Sequence, residues 1–262
     1  MSTLVCLHAH PDDESIATGG SIARAVSEGH RVVLVVATDG RHGETPNDLV
    51  PGETLVDRRR RETERSAEVL GVADIRWLGY HDSGMTGWEQ NEAPGAFVGA
   101  ELDEAARRFA DILDEVGADV VTCYDWHGGY GHPDHIMVHR VGHRAVDMVA
   151  ESGRVIRLLE STMNRTRIAA MRAENSEDAD FDPEAPADDG NPFGSTEDEI
   201  TMAVDVSDFV EQKRRSMACH ASQITDQSFF LQMPPEMFAM AFGTEWFIEA
   251  GHPGGARPGW FM

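Results

Sequence analysis

The chain has 262 residues, enough to bury a large hydrophobic core in one large domain or in a domain with an appendage. Its 46 acidic residues outnumber its 22 lysines and arginines, and the formal net charge of -24 argues against nucleic acid or an anionic membrane as a partner, because both attract basic residues. The three cysteines are odd in number and far apart, so we expect reduced thiols. No charged-then-apolar leader and no apolar run of membrane-spanning length occurs, so we expect a soluble, cytoplasmic protein.

The first elements of the chain predict a βαβ unit. Residues 4–7 are a short apolar run bounded by polar residues, which is typical of a buried strand. A helical pattern begins at Ser15 and stops at Gly29, and residues 31–37 form a second apolar run. This order predicts a parallel sheet with helices on both faces.

Further elements continue the alternation of strands and helices. The predicted segments are a helix over 53–70, a strand over 75–80, a helix over 102–116, a strand over 119–124, a helix that contains His135, a strand over 155–159, a helix over 168–172, a strand over 202–206 and a helix from Ser207 or Asp208 to about residue 221. The aromatic and Met-rich residues 229–247 are expected to form core. We therefore predict an α/β, Rossmann-like domain with a mostly parallel sheet: a core over 1–173, a solvated acidic loop over 174–199, and a C-terminal α/β extension over 200–262.

Two loops rich in His and Asp directly follow predicted strands, at residues 8–14 and 125–135. The carboxyl ends of parallel strands meet at one edge of the sheet, where open α/β sheets bind ligands. Imidazole and carboxylate are zinc ligands, and a neighbouring carboxylate can take a proton from an activated water. Each loop alone is equally well interpreted as a turn whose carboxylates favour a helix N-terminus. The two loops together favour a metal site.

The same residues carry a resemblance to a known family. His-Pro-Asp-Asp-Glu at residues 10–14 and His-Pro-Asp-His at residues 132–135 resemble the two signature motifs of the LmbE-like, or PIG-L, family of zinc-dependent N-acetylglucosaminyl deacetylases and amidases. Residues 78–85, 128–135 and 162–165 are similar to the branch that contains the mycothiol enzymes. The resemblance covers most of the chain and is least sure in the acidic loop.

The resemblance implies a set of site residues. His10, Asp13 and His135 would be the zinc ligands, and Asp12 would be the general base. His132 would act as the general acid or as an imidazolium that stabilises the oxyanion, and Tyr130 would polarise the scissile carbonyl. Arg59 and Asp82 would bind the substrate. Fe(II) is an alternative to Zn²⁺, since two histidines and one carboxylate suit both ions. The implied reaction is hydrolysis of the N-acyl bond of an N-acylglucosamine-type glycoconjugate.

Three other functions compete with this one. An amidase acting on mycothiol-like thiol conjugates is disfavoured by Ala17, which stands where that enzyme carries lysine, and His127 stands where relatives often have asparagine. A nucleotide-binding module is opposed by an acidic first turn without Gly-x-Gly-x-x-Gly. A non-catalytic metal- or sugar-binding protein of the same fold stays an alternative. The expected partner is a small-molecule glycoconjugate, and the homo-oligomeric state is left open.

Several further residues have plainer interpretations. His8 is expected to be a buried, hydrogen-bonded residue, and His139 and His143 are expected to belong to a packed or solvated helix face rather than to a second metal site. His220 is interpreted as a helix-end histidine, although the family branch has a similar segment. Glu14 is expected to support the start of the first helix, and residues 58–61 to form a solvated arginine face apart from one residue.

Overall fold

The computed structural model describes residues 1–174 and 182–262, whose strands form one mixed sheet flanked by helices. The strands are β1 (Thr3–His8), β2 (Arg31–Thr38), β3 (Asp74–Tyr80), β4 (Val120–Tyr124), β5 (Arg157–Thr162), β6 (Met202–Asp205), β7 (Thr244–Glu249) and β8 (Arg257–Pro258). The helices are α1 (Asp13–Ala17), α2 (Gly19–Ser27), α3 (Leu55–Leu70), α4 (Leu102–Val116), α5 (Pro133–Glu151), α6 (Arg165–Glu174), α7 (Val210–Cys219), α8 (Phe229–Gln232) and α9 (Pro235–Phe242). Across the sheet the order is β3-β2-β1-β4-β5-β7-β6-β8.

Alternate residues of the central strands face opposite sides of the sheet, and each side has its own core. In β1, Val5 packs in the cluster that contains Phe109 of α4, whereas Leu4 packs in the cluster that contains Ile22 of α2. Because both faces are covered, β1 and β2 are apolar at nearly every position, as parallel strands are.

The order of the parallel strands reverses between β1 and β4. From β1 the chain proceeds outwards through β2 to β3, and it then returns to place β4 on the other side of β1, with β5 beyond it. This reversal opens a crevice at the carboxyl ends of β1 and β4, the usual ligand position in such sheets. The two polar loops predicted from the sequence both lie there.

The C-terminal residues extend the same sheet. Strand β7 is antiparallel to β5, with Leu159 opposite Glu249, and β6 is antiparallel to β7. The predicted α/β class with a mostly parallel sheet is confirmed. Among the described residues, none of the helices combines the length and apolar character that a membrane crossing requires.

The single helix predicted from Ser15 to Gly29 is wrong, because two helices meet at Thr18. At this break α2 starts afresh, and the backbone N–H groups of Gly20 and Ser21 each donate to the Glu245 carboxylate at 2.8 Å. A Cβ on Gly20 would lie only 2.5 Å from the Val206 side chain. The carboxylate of Glu245 and the close packing of Val206 therefore determine where the helix breaks. Neither contact can be predicted from the sequence around Thr18.

Strand β5 begins and ends later than the predicted strand over residues 155–159. Val155 is 93% exposed and precedes β5, whereas the polar residues Glu160 and Thr162 belong to the strand and are buried. Their side chains bond to His143 and Asp125, so their polarity does not mark the end of the strand.

The aromatic and Met-rich C-terminal segment is only partly core. Phe238 and Phe247 are buried, as expected, but Phe229, Met237 and Met240 are exposed. The short helix α8 has no buried residue, and Phe238 is the buried residue of α9. In the acidic loop, residues 182–199 form turns that pack against the loop at 128–131, where Gly194 N–H donates to the Gly129 carbonyl at 2.6 Å. Residues 175–181 of that predicted loop lie outside the described part of the chain, and the division into core, loop and extension stays a prediction.

Candidate active site

Two loops at the crevice bring the predicted site residues together. The turn after β1 carries His10, Asp12 and Asp13, and the loop after β4 leads into α5 with His132 and His135. Pro133 opens α5, at a position where its missing N–H costs nothing. One ring nitrogen of each of His10, His132 and His135 lies within 4.8 Å of the other two.

His135 has one ring nitrogen fixed by the backbone. Its Nδ1 lies 3.1 Å from the Gly128 carbonyl oxygen, which can only accept, so Nδ1 carries the proton. The lone pair of Nε2 then faces Oδ2 of Asp13 at 3.4 Å. Gly128 allows this close approach, since its φ of 68° is left-handed and a Cβ there would lie 2.3 Å from the His135 Cβ. The orientation is that of a histidine prepared to bind a metal ion.

His10 is held in a similar way by Asp134. Its Nε2 lies 3.2 Å from Oδ2 of Asp134, and its Nδ1 lies 3.4 Å from Oδ2 of Asp13. Ser83 fixes the Asp134 carboxylate through its backbone N–H at 2.8 Å and its hydroxyl at 2.5 Å. Oδ2 of Asp13 therefore lies between one nitrogen of His10 and one of His135. The role of Asp134 was not predicted, although it lies inside the second motif.

The charges around His10 fit a bound cation. Burial lowers the pKa of His10, but hydrogen bonds with Asp13, Asp134 and Asp82 outweigh burial and raise this pKa well above its usual value. Burial likewise opposes ionisation of Asp13, yet His135 and His10 hold its pKa well below the ordinary range. Three carboxylates thus stabilise positive charge at the centre of the site, so the donor set fits a divalent metal ion.

His132 differs from the other two histidines. The backbone N–H of Asp134 donates to its Nδ1 at 3.1 Å, so a neutral His132 carries its proton on Nε2. Burial and the neighbouring His10 and His135 lower the pKa of His132 to about 2. An N–H on Nε2 cannot ligate a metal but can donate to a substrate oxygen, which separates His132 from the ligands.

Asp12 combines a strained backbone with a partly buried carboxylate. Its φ is 102°, the one positive value among the described residues other than glycine, a conformation that costs of order 1–3 kcal/mol and is frequent at active sites. Burial raises the pKa of its carboxyl to about 6, against the opposing charge of Arg59. A carboxylate with a pKa near neutrality is suited to act as a general base.

The two predicted substrate residues lie at the same cleft but are already engaged with the protein. Arg59 is buried and donates to the carbonyls of Gly40 at 2.7 Å and Pro11 at 2.5 Å, with Oδ2 of Asp12 at 3.2 Å. Asp82 accepts from the backbone N–H groups of Gly84 and His42 at 2.8 and 3.1 Å. Burial alone would raise the pKa of Asp82, but the nearby His10 and these N–H groups have the larger effect. The pKa of Asp82 therefore lies below its ordinary value.

The cleft above these groups has a volume of about 210 Å³. Its walls include His10, Asp12, His132, Tyr130, Met85 and Trp88. The Tyr130 hydroxyl lies 3.5 Å from Nε2 of His135, and burial raises the pKa of Tyr130, so that its proton is retained for donation. The cleft is therefore bordered by a carboxylate that can accept a proton, by the hydroxyl of Tyr130 and the N–H of His132 as donors, and by the candidate metal ligands His10 and Asp13.

Of the histidines outside the cleft, His8 agrees with its plainer interpretation and His220 does not. His8 bonds to the Tyr124 hydroxyl at 2.9 Å and to the Thr18 hydroxyl at 2.8 Å, as predicted for a buried residue. His127 is buried near the Gly194 carbonyl. His220 does more than end a helix, because its Nε2 lies 2.6 Å from Oε1 of Glu14. Burial opposes both charges, but the mutual attraction keeps the pKa of Glu14 low and that of His220 high.

The comparison with known proteins identifies the family. Residues 5–146 match the PIG-L family, described as GlcNAc-PI de-N-acetylase. The chain belongs to this family. It is 38% identical over 263 residues to a 1D-myo-inositol 2-acetamido-2-deoxy-alpha-D-glucopyranoside deacetylase of Acidothermus cellulolyticus, covering 94% of this chain and 88% of the relative. A deacetylase of the same name from Nocardiopsis dassonvillei is 41% identical, covering 84% of this chain and 83% of the relative.

A solved structure supports the fold. The N,N'-diacetylchitobiose deacetylase of Pyrococcus horikoshii superposes with a TM-score of 0.60 at 24% identity, covering 95% of this chain and 83% of the other. The family match ends within α5, so the residues beyond it, including His220, are not part of the matched region.

Proposed function

We propose that this PIG-L protein removes the acetyl group from an N-acetylglucosamine-type glycoconjugate by metal-dependent hydrolysis of the amide. One observation carries the proposal: Oδ2 of Asp13 lies 3.4 Å from nitrogens of both His10 and His135, next to the partly buried carboxylate of Asp12. The enzyme class agrees with the family and with the named relatives. By extension from those relatives, the substrate is an inositol-linked 2-acetamido sugar.

The ion would be held by His10, Asp13 and His135. When bound, it would polarise the scissile carbonyl and lower the pKa of a water molecule. Zinc suits two imidazoles and a carboxylate, and iron(II) is the second candidate for the same donor set. Metal analysis of protein purified without added metal distinguishes the two ions.

The remaining steps belong to the side chains of the chain. Asp12 takes a proton from the attacking water, and its raised pKa allows it to return that proton to the departing amine. The Tyr130 hydroxyl and the Nε2–H of His132 donate hydrogen bonds to the carbonyl oxygen as negative charge develops on it. This assignment favours the oxyanion role over a general-acid role for His132, because its lowered pKa makes the neutral form dominant.

Asp82 and Arg59 are proposed to border the sugar. Asp82 presents its carboxylate at the wall of the cleft, where sugar hydroxyls can donate to its free lone pairs. The main role of Arg59 is structural, since its guanidinium fixes the turn around Pro11 and faces Asp12.

The experiment is a comparison of substrates. Zinc-loaded protein is incubated with acetylglucosaminyl-inositol, N-acetylglucosamine and a cysteinyl thiol conjugate, and the released primary amine is followed by mass spectrometry. We expect the inositol-linked sugar to be deacetylated fastest. Preference for the thiol conjugate would assign the amidase activity instead, and a metal-loaded protein without turnover on any of the three would favour a binding function.

A further inference from the structure

The carboxylate of Glu14 lies behind the turn that carries the proposed base, and it is fully buried. Its Oε2 accepts the backbone N–H of Asp12 at 3.0 Å. Its Oε1 accepts the Ser66 hydroxyl at 2.5 Å and lies 2.6 Å from Nε2 of His220. One side chain therefore joins the strained residue of the turn to helix α3 and to the residue that follows α7.

The bond to Asp12 bears on the geometry of the site. Asp12 has a φ of 102°, and its N–H and its carbonyl are both fixed, the carbonyl by the Ser15 N–H at 3.0 Å and the Ser15 hydroxyl at 2.7 Å. Because the backbone is fixed on both sides of Asp12, its carboxylate is directed towards the cleft beside Arg59. A rotation of this backbone would move the carboxylate away from the attacking water.

His220 fixes Glu14 from the far side of the chain. It is 1% exposed, is separated from Glu14 by 206 positions, and lies beyond residues 5–146, over which the PIG-L match extends. Helices α3 and α7 pack on each other here, and the hydroxyls of Ser66 and Ser216 lie 2.7 Å apart. Without His220, Oε1 of a buried carboxylate would lose its closest nitrogen partner, and the group would be free to turn from Asp12 towards other donors.

We propose that His220 is a positioning residue for the proposed base, acting through Glu14 on the backbone of Asp12. The inference rests on the proposed function only in giving Asp12 its role, since the contacts themselves are independent of the reaction. If His220 merely stabilised the fold, its substitution would lower the midpoint of unfolding but would not selectively change the conformation of the turn at Asp12.

The test uses two substitutions at His220 and a matched pair elsewhere. His220→Ala removes the donor, whereas His220→Gln supplies an amide nitrogen close to the position of Nε2. The controls are His143→Ala and His143→Gln, because His143 makes the same kind of contact, Nε2 to Oε1 of Glu160 at 2.7 Å, outside the proposed site. Each protein is measured for metal content, for kcat and KM on the inositol-linked sugar, and for amide hydrogen exchange in peptides that cover residues 9–17.

We expect His220→Ala to keep its metal and its KM, to lose about 10- to 100-fold in kcat, and to exchange faster at residues 9–17, because small displacements of catalytic groups have effects of this size. His220→Gln should restore most of the kcat and the slow exchange, and both His143 variants should match the wild type in both measurements. Unchanged exchange at residues 9–17 in His220→Ala, or an unchanged kcat, would overturn the inference.

A second variant covers the case in which His220→Ala does not fold. Glu14→Gln keeps the shape of the side chain and an oxygen for His220, but its amide nitrogen cannot accept the Asp12 N–H, so we expect faster exchange and a lower kcat there too. If the wild-type protein deacetylates none of the substrates, the proposed function fails, while the exchange of residues 9–17 still decides whether His220 and Glu14 hold the turn.

Discussion

Two histidine clusters each use residues from one face of α5, and they differ in whether their side chains are left open to a ligand. We call His10, Asp13 and His135 the rim cluster, because Oδ2 of Asp13 lies 3.4 Å from a nitrogen of each histidine. The helix cluster consists of Cys123, His139 and His143, whose donor atoms lie within 4.8 Å of one another. His135, His139 and His143 follow one another at intervals of four residues. By residue type alone, the helix cluster is at least as good a set of zinc ligands as the rim cluster.

The surroundings separate the two clusters. In the rim cluster, Gly128 and Asp134 bind the outer nitrogens of the histidines, so that the inner nitrogens face Asp13 at the cleft. In the helix cluster, His143 is paired with Glu160 at 2.7 Å. Burial there also raises the pKa of the Cys123 thiol well above its usual value, which opposes the thiolate that a metal needs. The rim cluster is arranged for a ligand, and the helix cluster is satisfied by the protein.

The largest expected effect is loss of the metal itself. His135→Ala should bind no ion at the rim cluster and should show activity at the background of the assay, as should the wild type after treatment with a chelator, because two remaining ligands hold the ion poorly. Metal content by mass spectrometry and amine release are the measurements. His139→Ala is the matched control one helical turn away. A stoichiometry of two ions per wild-type chain that falls to one in His139→Ala would erase the contrast between the clusters.

Removal of the proposed base should be the next largest effect. Asp12→Ala is expected to keep its metal and to lose about 10²- to 10⁴-fold in kcat, the usual contribution of general acid–base catalysis. Turnover of the inositol-linked sugar, measured beside metal content, checks this prediction. An unchanged rate in a folded, metal-loaded variant would contradict the role of Asp12.

The carboxylates that hold the histidines should differ between the two clusters. Asp134→Asn is expected to lower metal affinity or activity about 10- to 100-fold, since partners of ligating histidines have effects of this size. Glu160→Gln, in the helix cluster, should leave both properties as they are. Competition with a coloured chelator measures the affinity, and equal affinities in the two variants would show that Asp134 does not orient His10.

The smallest expected effect is that of the helix cluster on the fold. His143→Ala should lower the free energy of unfolding by about 1 kcal/mol, the contribution of a single hydrogen bond, and should leave kcat within about twofold. Urea unfolding followed by circular dichroism provides the measurement. A large loss of activity without loss of stability would instead give this cluster a functional role.

Much of the site could be predicted from the sequence because its residues lie in two short segments that each follow an apolar strand. The alternation of strands and helices then places His10, Asp13 and His135 at one edge of the sheet without knowledge of any side-chain contact. The α/β class and the buried strands β1, β2 and β4 follow from the same local patterns.

The contacts that fix the site could not be predicted, because they join residues far apart in the sequence. The partner of Glu14 is 206 positions away, and the acceptor that starts α2 at Gly20 is 225 positions away. Asp134 was visible in the second motif, but its function depends on the direction of its carboxylate towards His10. Likewise, Glu160 and Thr162 can be assigned to β5 only when their hydrogen-bond partners are known.

The turn that carries Asp12 depends on residues more than 200 positions later in the sequence, and this affects when the protein can become active during its synthesis. Glu245 of β7 accepts from the start of α2 and from Lys213 at 2.6 Å, and His220 reaches Glu14. The ribosome makes the proposed base well before it makes these supporting residues. A nascent chain can therefore assemble β1 to β5 early, but we expect it to acquire activity only after β7 has emerged and joined the sheet.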